Sequence, residues 1–236
     1  MNTSLIDMEA PAPMGEAIAA YNVPGTAGGK PIEMLMAYPS LRIKQQKKAR
    51  EIILGFDTQQ TFRIQDMEGQ DVLFAKESSD GCGRFWCQNQ RKYTMALHMM
   101  DRTTLCEYDR PLRCQAPWCG KKLQELSGAT IDGRPLGSLK QLHGWFKANL
   151  EIRDAQGRHV YTIVKEGLKT RYTYNIVEAG TDNIVGLIKK RWEGIVREAF
   201  TDKDTFCLTF PPEADAEMRA FLVGACILVD YIYFEN

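Results

Sequence analysis

From Ile32 onward the large apolar residues come in short runs, alternate with polar ones, and are interrupted by Gly, Asn and Asp. Successive side chains of an extended chain point to opposite faces, so this period of two predicts a series of antiparallel strands with one face buried. Three hairpins stand out. In one, Phe62 and Ile64 alternate with Arg63 and Gln65, Asp66 to Gln70 turn around Gly69, and Val72 and Phe74 return. In another, Leu150 and Ile152 alternate with Glu151 and Arg153, Asp154 to Arg158 turn around Gly157, and Val160, Thr162 and Val164 come back. The third runs through Tyr172, Tyr174 and Ile176 to a turn at Ala179 to Asn183, then through Ile184, Gly186 and Ile188. Asp66 and Asp154, Gly69 and Gly157, and Val72 and Val160 are each 88 positions apart. That offset is consistent with an internal duplication. It is equally what two unrelated turns of one type require, since Asp at the entry and Gly near the exit serve the turn itself.

The last segment breaks the pattern. Ala216 to Phe234 has no strand alternation, one internal Gly and no Pro, and predicts a helix. Between Arg219 and Asp230 every residue is apolar or Gly, so this helix has no polar face and must be enclosed on all sides by protein or lipid. Ten residues rise only about 15 Å, and even fifteen reach about 22 Å, against roughly 30 Å of bilayer hydrocarbon. An unaided membrane span is therefore disfavoured. Strands that must bury one face and a helix that must bury every face satisfy each other if the strands close around the helix. The predicted fold class is mainly β, a closed antiparallel barrel over residues 31–236 with the helix 216–234 as its plug. Residues 1–30 are rich in Ala, Gly and Pro, too poor in large apolar groups to offset the entropy of ordering, and predict a flexible tail.

Composition removes several function classes. Thirty basic residues balance thirty acidic ones, which is not the electrostatic footprint of a nucleic-acid-binding protein. There are three histidines, none beside a nucleophile motif, and no nucleotide-binding fingerprint, so a catalytic role has no visible carrier and the chain reads as a non-enzyme. Seven cysteines and no secretory signal point to a reducing, cytosolic setting. Asn2 excludes myristoylation and the C-terminal sequence offers no prenylation cysteine.

Several segments, in order, resemble the phospholipid scramblases, relatives of the Tubby-like and LURP-one barrels. They are Leu73 to Asp80 (LFAKESSD), Asp109 to Cys114 (DRPLRC), Gly186 to Gly194 (GLIKKRWEG), Arg197 to Phe206 (REAFTDKDTF) and Gly224 to Glu235 (GACILVDYIYFE). The resemblance covers roughly 31–236. It implies a twelve-stranded antiparallel barrel around the C-terminal helix. It also implies ATP-independent, calcium-responsive, bidirectional movement of phospholipids between leaflets, at the cytoplasmic face of a membrane, the plasma membrane first, with a possible nuclear pool. The alternative within the same superfamily is a Tubby-like module that binds a phosphoinositide membrane or a protein partner without transport.

Candidate chemistry falls into three groups. Asp202, Asp204 and Glu213 occupy positions 1, 3 and 12 of a twelve-residue window, oxygen ligands at a spacing that suits Ca2+. Phe206 and Cys207 stand where an EF-hand needs a ligand and a turn glycine, so the alternative is a pair of carboxylates capping a strand; the resemblance implies the calcium site. Lys189, Lys190, Arg191 and Trp192 combine charge with an amphipathic ring, which suits an anionic lipid surface or a solvated strand end. In the family the matching stretch is also proposed as a nuclear-import signal. A second basic group, Arg42, Lys44, Lys47, Lys48 and Arg50, could join it if the fold makes the two adjacent. Cys82 with Cys87, and Cys114 with Cys119, are spaced at the loose edge of zinc patterns, and are otherwise exposed acylation sites or buried small hydrophobes. Where many scramblases carry a dense cysteine cluster, this chain has only Cys114 and Cys119, the candidates for acylation.

Overall fold

Alternation is plainest in two of the strands. In β2 (Thr61–Gln65) Phe62 and Ile64 are buried while Arg63 is exposed, and in β8 (Leu150–Asp154) Leu150 and Ile152 are buried while Arg153 is exposed. The computed structural model describes residues 30–46, 60–78, 92–112, 123–142, 149–167, 172–191 and 205–234. A short 3-10 helix, Pro31–Ala37, leads into β1 (Ser40–Gln46) and β2. Then follow β3 (Asp71–Ser78), β4 (Tyr93–Met99), β5 (Thr104–Arg110), β6 (Glu125–Thr130), β7 (Pro135–Gln141) and β8. The chain continues with β9 (His159–Lys165), β10 (Thr173–Glu178), β11 (Ile184–Arg191), β12 (Thr205–Thr209) and α1 (Ala216–Tyr233). Each strand pairs antiparallel with its sequence neighbours, and β1 pairs with β12 through Leu41 opposite Leu208 and Ile43 opposite Phe206, closing a barrel of twelve strands.

The helix fills the lumen. Residues Met218 to Tyr231 of α1 are all buried, as a helix without a polar face requires. Asp215 caps its N-terminus, accepting a bond from the Met218 amide at 2.7 Å. The helix has a single glycine for a steric reason: a Cβ on Gly224 would stand 2.6 Å from the Tyr108 ring of β5, whose hydroxyl donates to the Ala220 carbonyl at 2.5 Å. Phe221 is accommodated the same way, against Gly128 and Gly137, which pair with each other on β6 and β7.

The predicted hairpins are present, and their similarity has a local cause. Asp66 accepts bonds from the amides of Glu68 and Gln70, and Asp154 from those of Gln156 and Arg158, with Gly69 at φ 92° and Gly157 at φ 77°. The same backbone pattern recurs at Thr130 to Arg134 and at Met99 to Thr103, where Arg102 takes the positive-φ position at 72°. One turn type thus serves four hairpins, and the 88-residue spacing needs no duplication to explain it. The third hairpin departs from its expected phase: Gly186 and Ile188 are buried, but a register shift beside Ile176 leaves Ile184 exposed.

The two ends of the barrel differ. Five tight turns and the link from β12 to α1 lie at one end, with the 3-10 helix packed across the N-terminus of α1. The other end carries the longer connections after β1, β3, β5, β7, β9 and β11, and there α1 finishes.

Candidate functional site

The outer wall of β1, β12 and β11 brings together two basic groups that lie far apart in the sequence. Phe206 and Leu208 face the helix, so Cys207 between them faces outward. Arg42 of β1 is directly opposite Cys207 on one side, and Lys189 of β11 on the other. One step along, Thr205 lies between Lys44 and Arg191. Strands are about 4.8 Å apart, so Arg42 and Lys189 start from backbone positions about 10 Å apart on one surface. None of these three strands contains a carboxylate. The opposite wall is different in kind: Glu107 and Asp109 are exposed on β5, while Glu125 and Glu151 on β6 and β8 pair with Lys140 and Arg153.

Strand parity separates Lys189 from Lys190. Lys189 is exposed, whereas Lys190 turns into the barrel, its Nζ 3.8 Å from Asp230 Oδ1 of α1, with the two side chains 9% and 3% exposed. The ammonium also stands over the Phe234 ring at 4.4 Å and the Phe206 ring at 5.1 Å. Of the four residues expected at a lipid surface, Lys189 is therefore on the wall and Lys190 is behind it. Arg191 belongs to β11 by its backbone, and its side chain and Trp192 lie outside the described residues, as do Lys47, Lys48 and Arg50.

The twelve-residue acidic window is not one loop, because Thr205–Thr209 runs through it as β12. Glu213 is exposed on the turn between β12 and α1, at the end of β12 opposite Thr205. Asp202 and Asp204 lie outside the described residues, and among the described residues no group of His, Cys, Asp or Glu is arranged to hold a metal. Cys82, Cys87, Cys114 and Cys119 also lie outside them. Of the described thiols, Cys106 and Cys226 are buried, and burial raises both, Cys106 to about 12, which makes them inert core residues.

Behind the basic wall, the end of the barrel where α1 finishes holds further buried charge. Tyr231 donates to Glu77 Oε2 at 2.6 Å, and Glu77 is fully buried. Arg110 donates to Gln124 Oε1 at 2.6 and 3.2 Å, and its guanidinium lies over the Tyr93 and Tyr231 rings at 5.4 and 5.7 Å. Glu77 and Arg110 thus converge on one aromatic side chain of the helix, the residue after Asp230. Two acids and two bases are buried at this end, so their charges balance.

A family profile described as Scramblase matches residues 20–236. The chain belongs to the scramblase family. It is 31% identical to mouse phospholipid scramblase 1 over 92% of this chain and 72% of that protein. It is 32% identical to human phospholipid scramblase 1 over 87% and 66%, and 29% identical to human phospholipid scramblase 2 over 95% and 82%. No solved structure matches it. Glu77, Arg110, Lys190 and Asp230 each fall inside a segment that carries the scramblase resemblance, so those segments contain a buried charge network as well as surface chemistry. No described helix of this family member is long and apolar enough to cross a membrane.

Proposed function

We propose that this scramblase-family protein moves phospholipids between leaflets without ATP and without covalent chemistry, docked on an anionic bilayer by the wall that carries Arg42, Lys44 and Lys189. The observation that supports the reading is the adjacency of Arg42 and Lys189 across β12 on a wall without carboxylates. Because α1 fills the lumen, a headgroup has no path through the barrel, and the proposed route runs along the outside, where the docked wall perturbs the bilayer. Each cation near such a surface contributes on the order of 1 kcal/mol, so replacing Arg42, Lys44 and Lys189 by Gln lowers affinity for phosphatidylserine vesicles roughly a hundredfold at low salt. Cys114 and Cys119, if acylated in cells, would add an anchor that salt does not release.

Calcium enters the proposal through Asp202, Asp204 and Glu213, with lipid phosphate oxygens completing the shell. Asp202 and Asp204 precede β12 in sequence and Glu213 follows it, so the two aspartates are the leading pair. Reconstitution into liposomes with a leaflet-selective fluorescent lipid assay, with and without calcium, tests transport directly. Movement of lipid that the triple Gln variant loses supports the proposal; binding without movement favours a Tubby-like docking module instead.

A further inference from the structure

We propose that the tight-turn end of the barrel is a docking surface for a basic segment of a partner protein, one of whose large apolar side chains enters the groove between the 3-10 helix and the β6–β7 turn. This surface is separate from the wall assigned to lipid and does not depend on it. Seven large apolar residues are exposed among the described ones, and five of them crowd this end: Met36, Met67, Met100, Ile131 and Ile184. Met67, Met100 and Ile131 sit on three consecutive hairpin turns, each two strands from the next and therefore about 10 Å apart. Ile131 is 58% exposed and Met100 52%, at tips whose backbone conformation is served by any polar residue, so the turns themselves do not call for these side chains. Exposed apolar groups gathered at one place mark an interaction surface, and flexible methionines suit one.

Beside Ile131 lies an open groove of about 300 Å³, with Pro31, Ile32 and Leu105 among its walls and Lys30, Asp132 and Arg134 at its edge. That is room for one Leu or Phe side chain. The cations at this edge are already engaged: Arg134 bonds Asp132 at 2.7 Å and Glu217 at 2.9 Å, and Lys30 stands 3.7 Å from Glu217. Elsewhere at this end Arg158 bonds Asp154, and exposed Arg102 shares its turn with exposed Asp101. By contrast the turn at Asp66 and Glu68, the turn at Asp182, and the link at Glu213 and Asp215 contain no cation. The end is thus acidic with apolar tips, which disfavours an anionic bilayer and complements a basic segment with apolar anchors.

The test uses the full-length chain and a fluorescein-labelled amphipathic peptide built of Lys and Leu, followed by anisotropy. The peptide binds, while scaffolds with Glu for Lys or Ser for Leu do not. Ile131→Glu and Met100→Glu each weaken binding at least tenfold, as does the Glu68→Lys, Asp182→Lys double variant, all with unchanged melting curves because these side chains lie on the surface. Arg42→Gln with Lys189→Gln leaves it unchanged, and so does Glu107→Lys with Asp109→Lys on the acidic wall. Equal binding by the rim variants, or an equal loss when Glu107 and Asp109 are reversed, overturns the proposal, as does phosphatidylserine vesicle binding that the rim variants abolish.

Discussion

The two ends of the barrel solve the problem of a buried polar group in opposite ways. At the tight-turn end Arg219 of α1 donates to the carbonyls of Ala214 at 2.9 Å, Tyr38 at 3.1 Å and Leu35 at 3.2 Å, and stacks over Phe210. One cation is distributed over neutral backbone acceptors and ties the 3-10 helix to the plug. At the other end charge is answered by charge, Lys190 by Asp230, with Glu77 and Arg110 meeting at Tyr231. The first arrangement is a fixed closure that depends on backbone position, whereas the second is a balance of side chains that a single substitution upsets and a matched pair can restore.

The largest effect comes from removing what both ends hold. Truncation after Glu217 deletes nearly all of α1, and the inward faces of twelve strands would then line an apolar void. The expected product is insoluble or unfolded chain. A soluble truncation that melts cooperatively would mean that the strands close without the plug, and would end the comparison.

Next is the contrast itself. Lys190→Met strips Asp230 of this cation inside the barrel and costs about 3 kcal/mol, at the lower edge for breaking a buried pair. The double variant Lys190→Met, Asp230→Leu removes both charges and recovers most of that loss. Arg219→Met instead loses bonds to the carbonyls of Ala214, Leu35 and Tyr38, which no second side-chain change supplies. Denaturant unfolding of the four proteins reads this out, and rescue at both ends, or at neither, would erase the distinction drawn between them.

How much of this was legible follows from the same residues. The barrel and its plug could be read because Phe62 and Ile64, or Leu150 and Ile152, mark one face, and because the run from Ala220 to Val229 leaves a helix no polar side. The charged end was missed, though a signal was there: Glu77 is in phase with Leu73 and Ala75, Arg110 with Cys106 and Tyr108, and Lys190 with Ile188. Reading Lys189 and Lys190 as one basic patch ignored that parity. The adjacency of Arg42 and Lys189 was not readable, since it depends on β1 and β12 closing the barrel, a pairing between residues about 170 positions apart that no local pattern encodes. The apolar tips at Met67, Met100 and Ile131 were invisible for a similar reason, because each looks incidental until the turns stand side by side.

A smaller effect probes the helix at its middle, between the two ends. Gly224→Ala drives a methyl group into the Tyr108 ring and should cost about 1 to 3 kcal/mol as an overpacked contact. Tyr108→Phe keeps the ring and loses the bond to the Ala220 carbonyl, about 1 kcal/mol, with the weaker one from the Cys106 thiol, so it should not relieve the clash. Tyr108→Ala, which removes Cγ, Cδ1 and Cε1, should relieve it, making Gly224→Ala nearly harmless in that background. If the penalty persists there, it arises from the helix backbone and not from the packing of α1 against β5.

The smallest effect belongs to the tight-turn end and appears only with pH. Arg134 bonded to Asp132, with the Thr130 hydroxyl as second donor, holds that carboxyl down at about 2. A carboxylate depressed in the folded state contributes stability that is complete above its unfolded value near 4 and disappears as pH falls toward 2. Asp132→Asn should therefore lie slightly below wild type in melting temperature at pH 6, where the wild-type pair is ionised. The two curves should converge between about pH 4 and pH 2, as the wild type loses what the variant never had. Because the pair is exposed, added salt should shrink the pH 6 difference. A constant gap across the whole range would assign the difference to the turn geometry of Thr130 to Arg134 and leave the charge of Asp132 without a role at this end.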